Sequence, residues 1–320
     1  MFRLMIPLQA AAFALILALM PGNAVGQDLS VSPEEGIIQL TGGIGLVSMT
    51  ANEFVFDGGW TTSQLIWESL NVPVATVGLS TKLSDGWTVA AKAEAGLGGN
   101  SSMADYDWLT PYVAANGPDD WTHRSLHPDT RVDHFMRGSL VVGRDMQLGD
   151  RFTINLNGGF KYTDVQWTGY GGSYIYSVGG FRDSSGNFVD GQAGITYRQM
   201  LPMAFVGADA TADFDKLVLT AGAQGGFTFA GQAVDDHWLR DLRFVDNMYV
   251  APIVALSANA QYGFSDNAAL FVAASLDKMF TTRADTSVIN TNTNATSFYA
   301  NAAGADFVSV SISGGLTGSF

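Results

Sequence analysis

The chain has 320 residues, no cysteine, and 30 acidic against 16 basic side chains, which gives a formal net charge of −14. This acidic balance argues against a nucleic-acid partner, because binding phosphates requires a basic face. The absence of cysteine excludes disulfides and thiolate–metal sites in this chain. Charged residues are only 14% of the sequence and aromatic residues are 12%, a composition too apolar and aromatic for a disordered protein.

The beginning of the chain has the pattern of an export signal. Arg3 supplies a positive start, residues 6–20 are almost entirely apolar, and small residues follow. This predicts a signal peptide over residues 1–26, with Ala24 as an alternative cleavage point. An uncleaved membrane helix is the other interpretation, but the apolar run is short for a span of about 20 residues. We predict that residues 27–320 form one domain.

Several segments alternate between two classes of side chain with a period of two. In residues 308–320 the even positions are mainly aliphatic and the odd positions are mainly serine or threonine, and similar alternation recurs in residues 87–95, 152–157 and 256–264. A β-strand places such sets on opposite faces of a sheet. Most of these segments approach or exceed the roughly ten residues of a tilted membrane strand, which favours a membrane barrel over a soluble sandwich.

The connections between these segments fall into two length classes, four tight turns and five long polar loops. Their alternation predicts an all-β fold, a ten-stranded antiparallel transmembrane β-barrel with long extracellular loops and both termini on the periplasmic side. The sheet should close, because lipid tolerates no open sheet edge. The turns are predicted at residues 84–86, 148–150, 213–216 and 265–267, and the loops near residues 50–65, 98–130, 168–191, 231–242 and 286–297.

A barrel of ten strands is little wider than one that its own side chains fill, so a wide aqueous pore is not expected. A small pore or a purely structural barrel is the alternative that the composition permits. The terminal Phe320 is similar to the C-terminal signature of bacterial outer-membrane barrels.

Two acidic motifs lie in the predicted second and fourth loops, after strands three and seven. If each motif is locally extended, residues two apart point the same way, so that Asp105 converges with Asp107 and Asp235 converges with His237. Positions four strands apart in a ten-stranded barrel lie nearly opposite each other. The two motifs should therefore face each other across the barrel mouth, with room for a peptide between them.

These residue types suit the activation of a water molecule. A carboxylate beside an imidazole orients the ring and stabilises its charged form, and two neighbouring carboxylates hold a water and share a proton. The alternative is ordinary turn chemistry at a solvated edge. Continuing the lipid-facing parity of the two strands would turn the motifs outward, unless bulges at Gly98–Gly99 and at Gly231 reset the register, which the sequence alone does not decide.

A histidine cluster is a second candidate for chemistry. His123, His127 and His134 lie near Asp129 and Asp133 in the sequence. Their spacing matches no standard helical metal site, so we expect no metal to bind there.

The chain resembles the omptin family of outer-membrane proteases along most of its length. The likeness is strongest at Met103–Trp108, Trp121–Thr130, Gly171–Asp183 and Asp235–His237. The resemblance implies a ten-stranded barrel that extends beyond the outer membrane, with its active site facing the cell exterior. It also implies an aspartic-type endopeptidase that cleaves peptide or protein substrates.

The resemblance assigns roles to individual residues. Asp105 and Asp107 match the family's catalytic aspartate couple, and Asp235 and His237 match its Asp–His pair. Water would be activated between the two pairs.

The substrate pocket matches the family only in part. Glu53 looks like the family's pocket glutamate and Met103 like a pocket-lining residue, which implies some preference for basic residues at the cleaved bond. A second pocket carboxylate usually lies two positions before the catalytic aspartate, where this chain has Ala233. A weakly active or inactive barrel that serves as an adhesin or binding protein is the alternative.

The family also binds lipopolysaccharide on the barrel exterior. At the corresponding positions this chain has Phe160, Tyr162, Asp164 and Met200, so the family's basic and polar pattern is not retained. We expect contact with outer-membrane lipid and no cofactor, and the resemblance leaves a lipopolysaccharide requirement for activity open.

Overall fold

The structure is a computed structural model that describes residues 35–113 and 117–320. The predicted signal segment lies outside the described residues. Among them, two short 3-10 helices occur at Ser84–Gly86 and Trp238–Arg240, and no helix has the length and apolar character needed to cross a membrane. The strands are β1 (Ile38–Asp57), β2 (Trp60–Lys82), β3 (Trp87–Gly96), β4 (Gly99–Asp107), β5 (His123–Gln147), β6 (Phe152–Tyr170), β7 (Ser173–Tyr176), β8 (Ser184–Asn187), β9 (Ala193–Phe214), β10 (Leu217–Thr228), β11 (Gln232–His237), β12 (Leu242–Met248), β13 (Pro252–Ser265), β14 (Ala268–Asn290) and β15 (Thr296–Ser319).

The strands form one closed antiparallel sheet. β1 pairs with β2 on one side and with β15 on the other, which joins the two ends of the sheet. β3 and β4 both pair with β2 and β5, so together they fill one position of the ring. In the same way β10 and β11 share one position, and β12 and β13 share another. The ring therefore has ten positions, as the sequence predicts. β7 and β8 form a hairpin beside β5, outside the ring.

The two ends of the barrel differ as predicted, with tight turns at one end and long excursions at the other. The excursions differ from the expected loops in one respect, because much of each predicted loop is paired strand. β1 and β2, for example, are joined by only two residues, and their pairing extends to Asp57↔Trp60. Polar side chains made these segments look like loops, but a solvent-exposed strand also tolerates them and still pairs its backbone.

The outer surface carries a belt of exposed apolar side chains, while the inner surface is more polar. On β15, for example, Ser309, Ser311 and Ser313 are buried inside, whereas Leu316 is 55% exposed outside. A lipid-facing surface requires this inversion of the soluble pattern. The belt includes Ile44, Leu46, Val77, Leu79, Leu140, Val142, Leu156, Val206, Leu256, Leu270 and Val272.

Charged side chains fill the barrel interior at the level of the belt. Arg137 contacts Glu94 at 3.4 Å and Asp277 at 3.2 Å, and Lys161 forms a second ion pair with Asp277. Lys92 pairs with Glu94 at 3.0 Å. Buried charges are tolerated only when they are paired, and here cations and anions from facing walls neutralise each other.

Above this network, three stacked rings form an aromatic floor made of Trp67, Trp167 and Tyr197. The ring centroids lie 5.6–6.4 Å apart, and all three side chains are fully buried. Trp167 and Tyr197 are paired on the neighbouring strands β6 and β9, and Trp67 comes from β2, so the floor joins β2 to the β6–β9 wall across the interior. We call the end of the barrel with the long excursions the rim. The aromatic floor packs across the interior below it.

The two segments that carry the acidic motifs, β3–β4 and β10–β11, exchange their inward and outward faces before they reach the rim. Gly98 has a φ of +88°, which favours glycine. A Cβ at Gly99 would lie 2.8 Å from Val72. At the second strand the pairing with β9 shifts by one residue between Thr228↔Met203 and Gln232↔Met200. In these two strands the odd-numbered residues point outward at the level of the belt and inward at the rim.

Arg137 holds two buried carboxylates, so its removal should destabilise the barrel. Arg137→Met leaves Glu94 and Asp277 without the guanidinium, which should cost about 3 kcal/mol. We expect a lower urea midpoint for the refolded protein, measured by tryptophan fluorescence in detergent micelles. Lys92→Met is the control, because the Lys92 side chain is 44% exposed and its loss leaves Arg137 in place. Equal midpoints for the two variants would contradict this role of Arg137.

Candidate active site

The Asp–His pair lies at the inward face of β11. His237 Nε2 donates a hydrogen bond to Asp235 Oδ2 at 2.6 Å, and Asp235 is 2% exposed. Because the carboxylate accepts from Nε2, the lone pair of the neutral ring is on Nδ1, which lies 3.5 Å from Arg240 Nη1. Asp236 points away and accepts two hydrogen bonds from Arg243, at 2.7 and 3.0 Å. The alternation expected from the sequence is present.

The aspartate couple lies on β4, where Asp105 and Asp107 share one face. Ser63, on the neighbouring β2, donates a hydrogen bond to Asp105 Oδ1 at 3.3 Å. Burial raises the pKa of Asp105 well above its usual value, and the charges of Asp107 and Asp235 raise it further. Burial also raises the pKa of Asp107. Tyr106 lies on the other face, against Trp108. The couple is therefore prone to share a proton.

The structure brings the two motifs into electrostatic contact across the rim. The negative charge of Asp235 raises the pKa of Asp105, and His237 lowers the pKa of Asp107. Arg240 lowers the pKa of both carboxyls of the couple. β4 and β11 are separated by several strands in the ring, so these contacts run through the interior rather than along the sheet.

The two residues expected to bind substrate lie deeper. Glu53 is 4% exposed; burial raises its pKa well above the usual range, and Asp235 and Asp246 raise it further. Met103 is 2% exposed and is paired in the sheet with Trp67 of the aromatic floor. Met103 is thus beside the floor, whereas Glu53 and Asp105 flank the same residue of β2, Leu65.

Asp246 is a further buried carboxyl of this site that the sequence reading missed. It lies on β12, directly opposite Ala233, and is 5% exposed. Burial raises its pKa to about 7, with an added effect of the Asp235 charge. The sequence did contain a signal for Asp246. A hairpin turn placed just after His237 fixes which residue of the next strand pairs with Ala233.

The histidine cluster of the sequence is dispersed onto separate partners. His134 pairs with Asp164, and His127 hydrogen-bonds to Ser125 and stacks on Phe188. Within residues 35–113 and 117–320, no group of three or more candidate metal ligands comes together.

On the barrel exterior, Asp164 accepts two hydrogen bonds from Arg198, at 2.8 and 2.6 Å, in addition to its contact with His134. Phe160 is exposed and packs against Phe229. Two of the positions that differ from the family's lipopolysaccharide-binding pattern therefore carry an ion-paired carboxylate and a packed aromatic ring.

The closed ten-stranded sheet with its apolar belt defines an outer-membrane β-barrel. The Omptin family model matches residues 34–320, and the chain belongs to the Omptin family. It is 26% identical to the plasminogen activator of Yersinia pestis, over 96% of this chain and 98% of that protein. It is also 26% identical to protease 7 of Escherichia coli strain K12, over 92% and 93% of the two chains.

A solved structure supports the fold independently. The crystal structure of the outer membrane protease OmpT from Escherichia coli superposes with a TM-score of 0.81, at 24% identity, over 91% of this chain and 99% of that chain. The family and these relatives place the protein in the bacterial outer membrane and support a protease function in general.

The raised pKa of Asp246 predicts a stability that depends on pH. Asp246 keeps its proton up to about pH 7 when folded, but loses it near pH 4 when unfolded. The folded state therefore binds more protons between these values, and stability falls as the pH rises through this window, by roughly 4 kcal/mol. Asp246→Asn should remove this fall, as measured by urea unfolding at pH 4 and pH 8.

Asp285→Asn is the control for this experiment. Tyr249 and the Asn301 amide lower the pKa of this exposed carboxylate. It therefore contributes stability above its unfolded pKa, and that contribution is lost as the pH falls. The control should lose stability at pH 8, whereas Asp246→Asn should gain it. A gain in both variants would contradict the assignment.

Proposed function

We propose that the protein is an aspartic-type endopeptidase of the outer membrane, with Asp105, Asp107, Asp235 and His237 as its catalytic residues. The observation that carries the proposal is the hydrogen-bonded Asp–His pair at the end of the barrel that also carries the buried aspartate couple. His237 is fixed by a 2.6 Å hydrogen bond to Asp235, and the charges of that pair act on the aspartate couple opposite.

The reaction needs no covalent intermediate. An ionised oxygen of the couple accepts a hydrogen bond from a water molecule and directs it at the carbonyl carbon of the peptide bond. Nδ1 of His237 takes the proton of the attacking water, and Asp235 stabilises the imidazolium that forms. The imidazolium then gives its proton to the leaving amine, and the peptide bond breaks.

The proposed substrates are extracellular polypeptides with a basic residue at the cleaved bond. Glu53 supports this preference, because a buried carboxylate facing the site favours a cationic side chain. Met103 lines the lower wall of the same space. The net charge of −14 also favours the approach of basic substrates at low ionic strength.

Neighbouring residues on β11 offer a matched test of the catalytic roles. Asp235→Asn and His237→Ala should each lower kcat/KM for peptide cleavage by about 10²–10⁴-fold, since each removes a part of the acid–base pair. Asp236→Asn should cleave nearly as fast as the wild type, because Asp236 points outward to Arg243. The refolded variants would be compared on a diverse peptide library by mass spectrometry.

The same assay separates the alternatives. Cleavage that survives His237→Ala, or a wild type that cleaves no peptide with or without added lipopolysaccharide, would defeat the proposal. Cleavage only with lipopolysaccharide would add that lipid as a required partner. Binding of polypeptides that persists in Asp105→Asn without any turnover in the wild type would favour a binding barrel.

A further inference from the structure

At position 233, where the family resemblance implies a carboxylate, this chain has alanine, and a buried carboxyl lies on the neighbouring strand. Ala233 is 1% exposed and carries only a methyl group. Its partner across the β11–β12 ladder is Asp246, which is also buried. Directly opposed residues of an antiparallel pair project from the same face with their Cβ atoms about 5 Å apart. Asp246 therefore projects beside Ala233.

The buried carboxylates around this position have unused acceptor atoms. Glu53 Oε2, Asp235 Oδ1 and Asp246 Oδ1 are each shielded from solvent without a hydrogen-bond partner. Their residues are between 2% and 5% exposed. Buried polar atoms are normally paired, so three such oxygens close together need an explanation.

An uncharged group on the other side of Ala233 has the same deficiency. Gln199 is the residue of β9 paired with Ala233, and it is fully buried. Its Nε2 donates to Tyr197 Oη at 3.0 Å and to the Asp306 carbonyl at 3.2 Å, but its Oε1 has no partner. Ala233 is therefore flanked on both sides by inward side chains with free acceptors.

The chemistry of this set selects its ligand. Four oxygen acceptors lack donors, and three of them belong to carboxyl groups. A guanidinium offers five N–H donors with a positive charge, and an ammonium offers three. An apolar side chain would leave the acceptors unpaired, a neutral amide or hydroxyl would supply fewer donors and no charge, and an acidic side chain would add to the repulsion. Between Gln199 and Asp246, Ala233 adds only a methyl group.

We propose that Asp246 supplies, from the neighbouring strand, the pocket carboxylate that Ala233 lacks, and that together with Glu53 it binds an arginine or lysine side chain of the substrate. This inference rests on the proposed protease function and adds the specificity-determining residue. In this arrangement two acidic side chains, Glu53 and Asp246, face the cationic group, one of them from β12 rather than β11.

The test compares arginine with citrulline at the residue before the cleaved bond. Citrulline has nearly the same shape but no charge. Asp246→Asn should lower kcat/KM for the arginine peptide by about 10- to 100-fold, the usual effect of losing a charge-assisted hydrogen bond, and should change the citrulline peptide by less than about threefold. Asp246→Ser is a second variant in case the first does not fold. Asp285→Asn, on the neighbouring strand, is the control.

Moving the carboxylate back provides a rescue. The double variant Ala233→Asp/Asp246→Asn should recover the preference for arginine over citrulline to within about tenfold of the wild type. A merely structural role of Asp246 would lower the cleavage of both peptides equally, and no rescue would follow. An active Asp246→Asn enzyme with an unchanged arginine-to-citrulline ratio would overturn the inference.

A binding measurement keeps this inference separate from the protease proposal. Benzamidine carries an amidinium group and needs no turnover, so calorimetry can follow it in a protein that cleaves nothing. We expect binding to the wild type and at least tenfold weaker binding to Asp246→Asn. If the wild type binds benzamidine in this way but cleaves no peptide, the protease proposal fails and the pocket stands. If benzamidine binds both proteins equally, or neither, the pocket assignment fails.

Discussion

Backbone amides have no water to bond in the hydrocarbon core of a membrane, and this constraint closes the sheet of this protein into a ring. Closure joins β1 to β15, which are separated by most of the chain. It also fixes which strands face each other across the interior. The electrostatic interaction between residues of β4 and β11 is therefore a consequence of satisfying backbone hydrogen bonds far below them.

The closed ring creates an interior that must be filled, and the filling supports the site. Charged residues such as Arg137 neutralise each other at the level of the belt, and the aromatic floor seals the space above them. Carboxyls above the floor are therefore held away from bulk water on one side. Their raised pKa values follow from this position and from their mutual repulsion. Solvent exclusion of this kind is what lets an aspartate couple share a proton.

Two strands of the ring exchange their inward and outward faces, one at Gly98–Gly99 and one before Gln232, and this exchange lets each serve both the membrane and the site. Below these points odd-numbered residues face lipid, and above them odd-numbered residues face the site. One strand can thus anchor the barrel and also present Asp105 or Asp235 inward. The same strands continue past the belt as paired sheet, which gives the site a more rigid support than irregular loops would provide.

The period-two alternation, the four tight turns and the acidic motifs determined the ten-strand ring, the side of the barrel that carries the motifs and which residues of each motif share a face. These are local properties, because residues close together in the sequence determine side-chain alternation and turn formation. Only the tertiary structure decided that much of the expected loop is paired strand, that Ser63 hydrogen-bonds to Asp105, and that Asp246 lies beside Ala233. Such contacts depend on strand register across the sheet, and a shift of one residue would have turned each of these side chains to the opposite face.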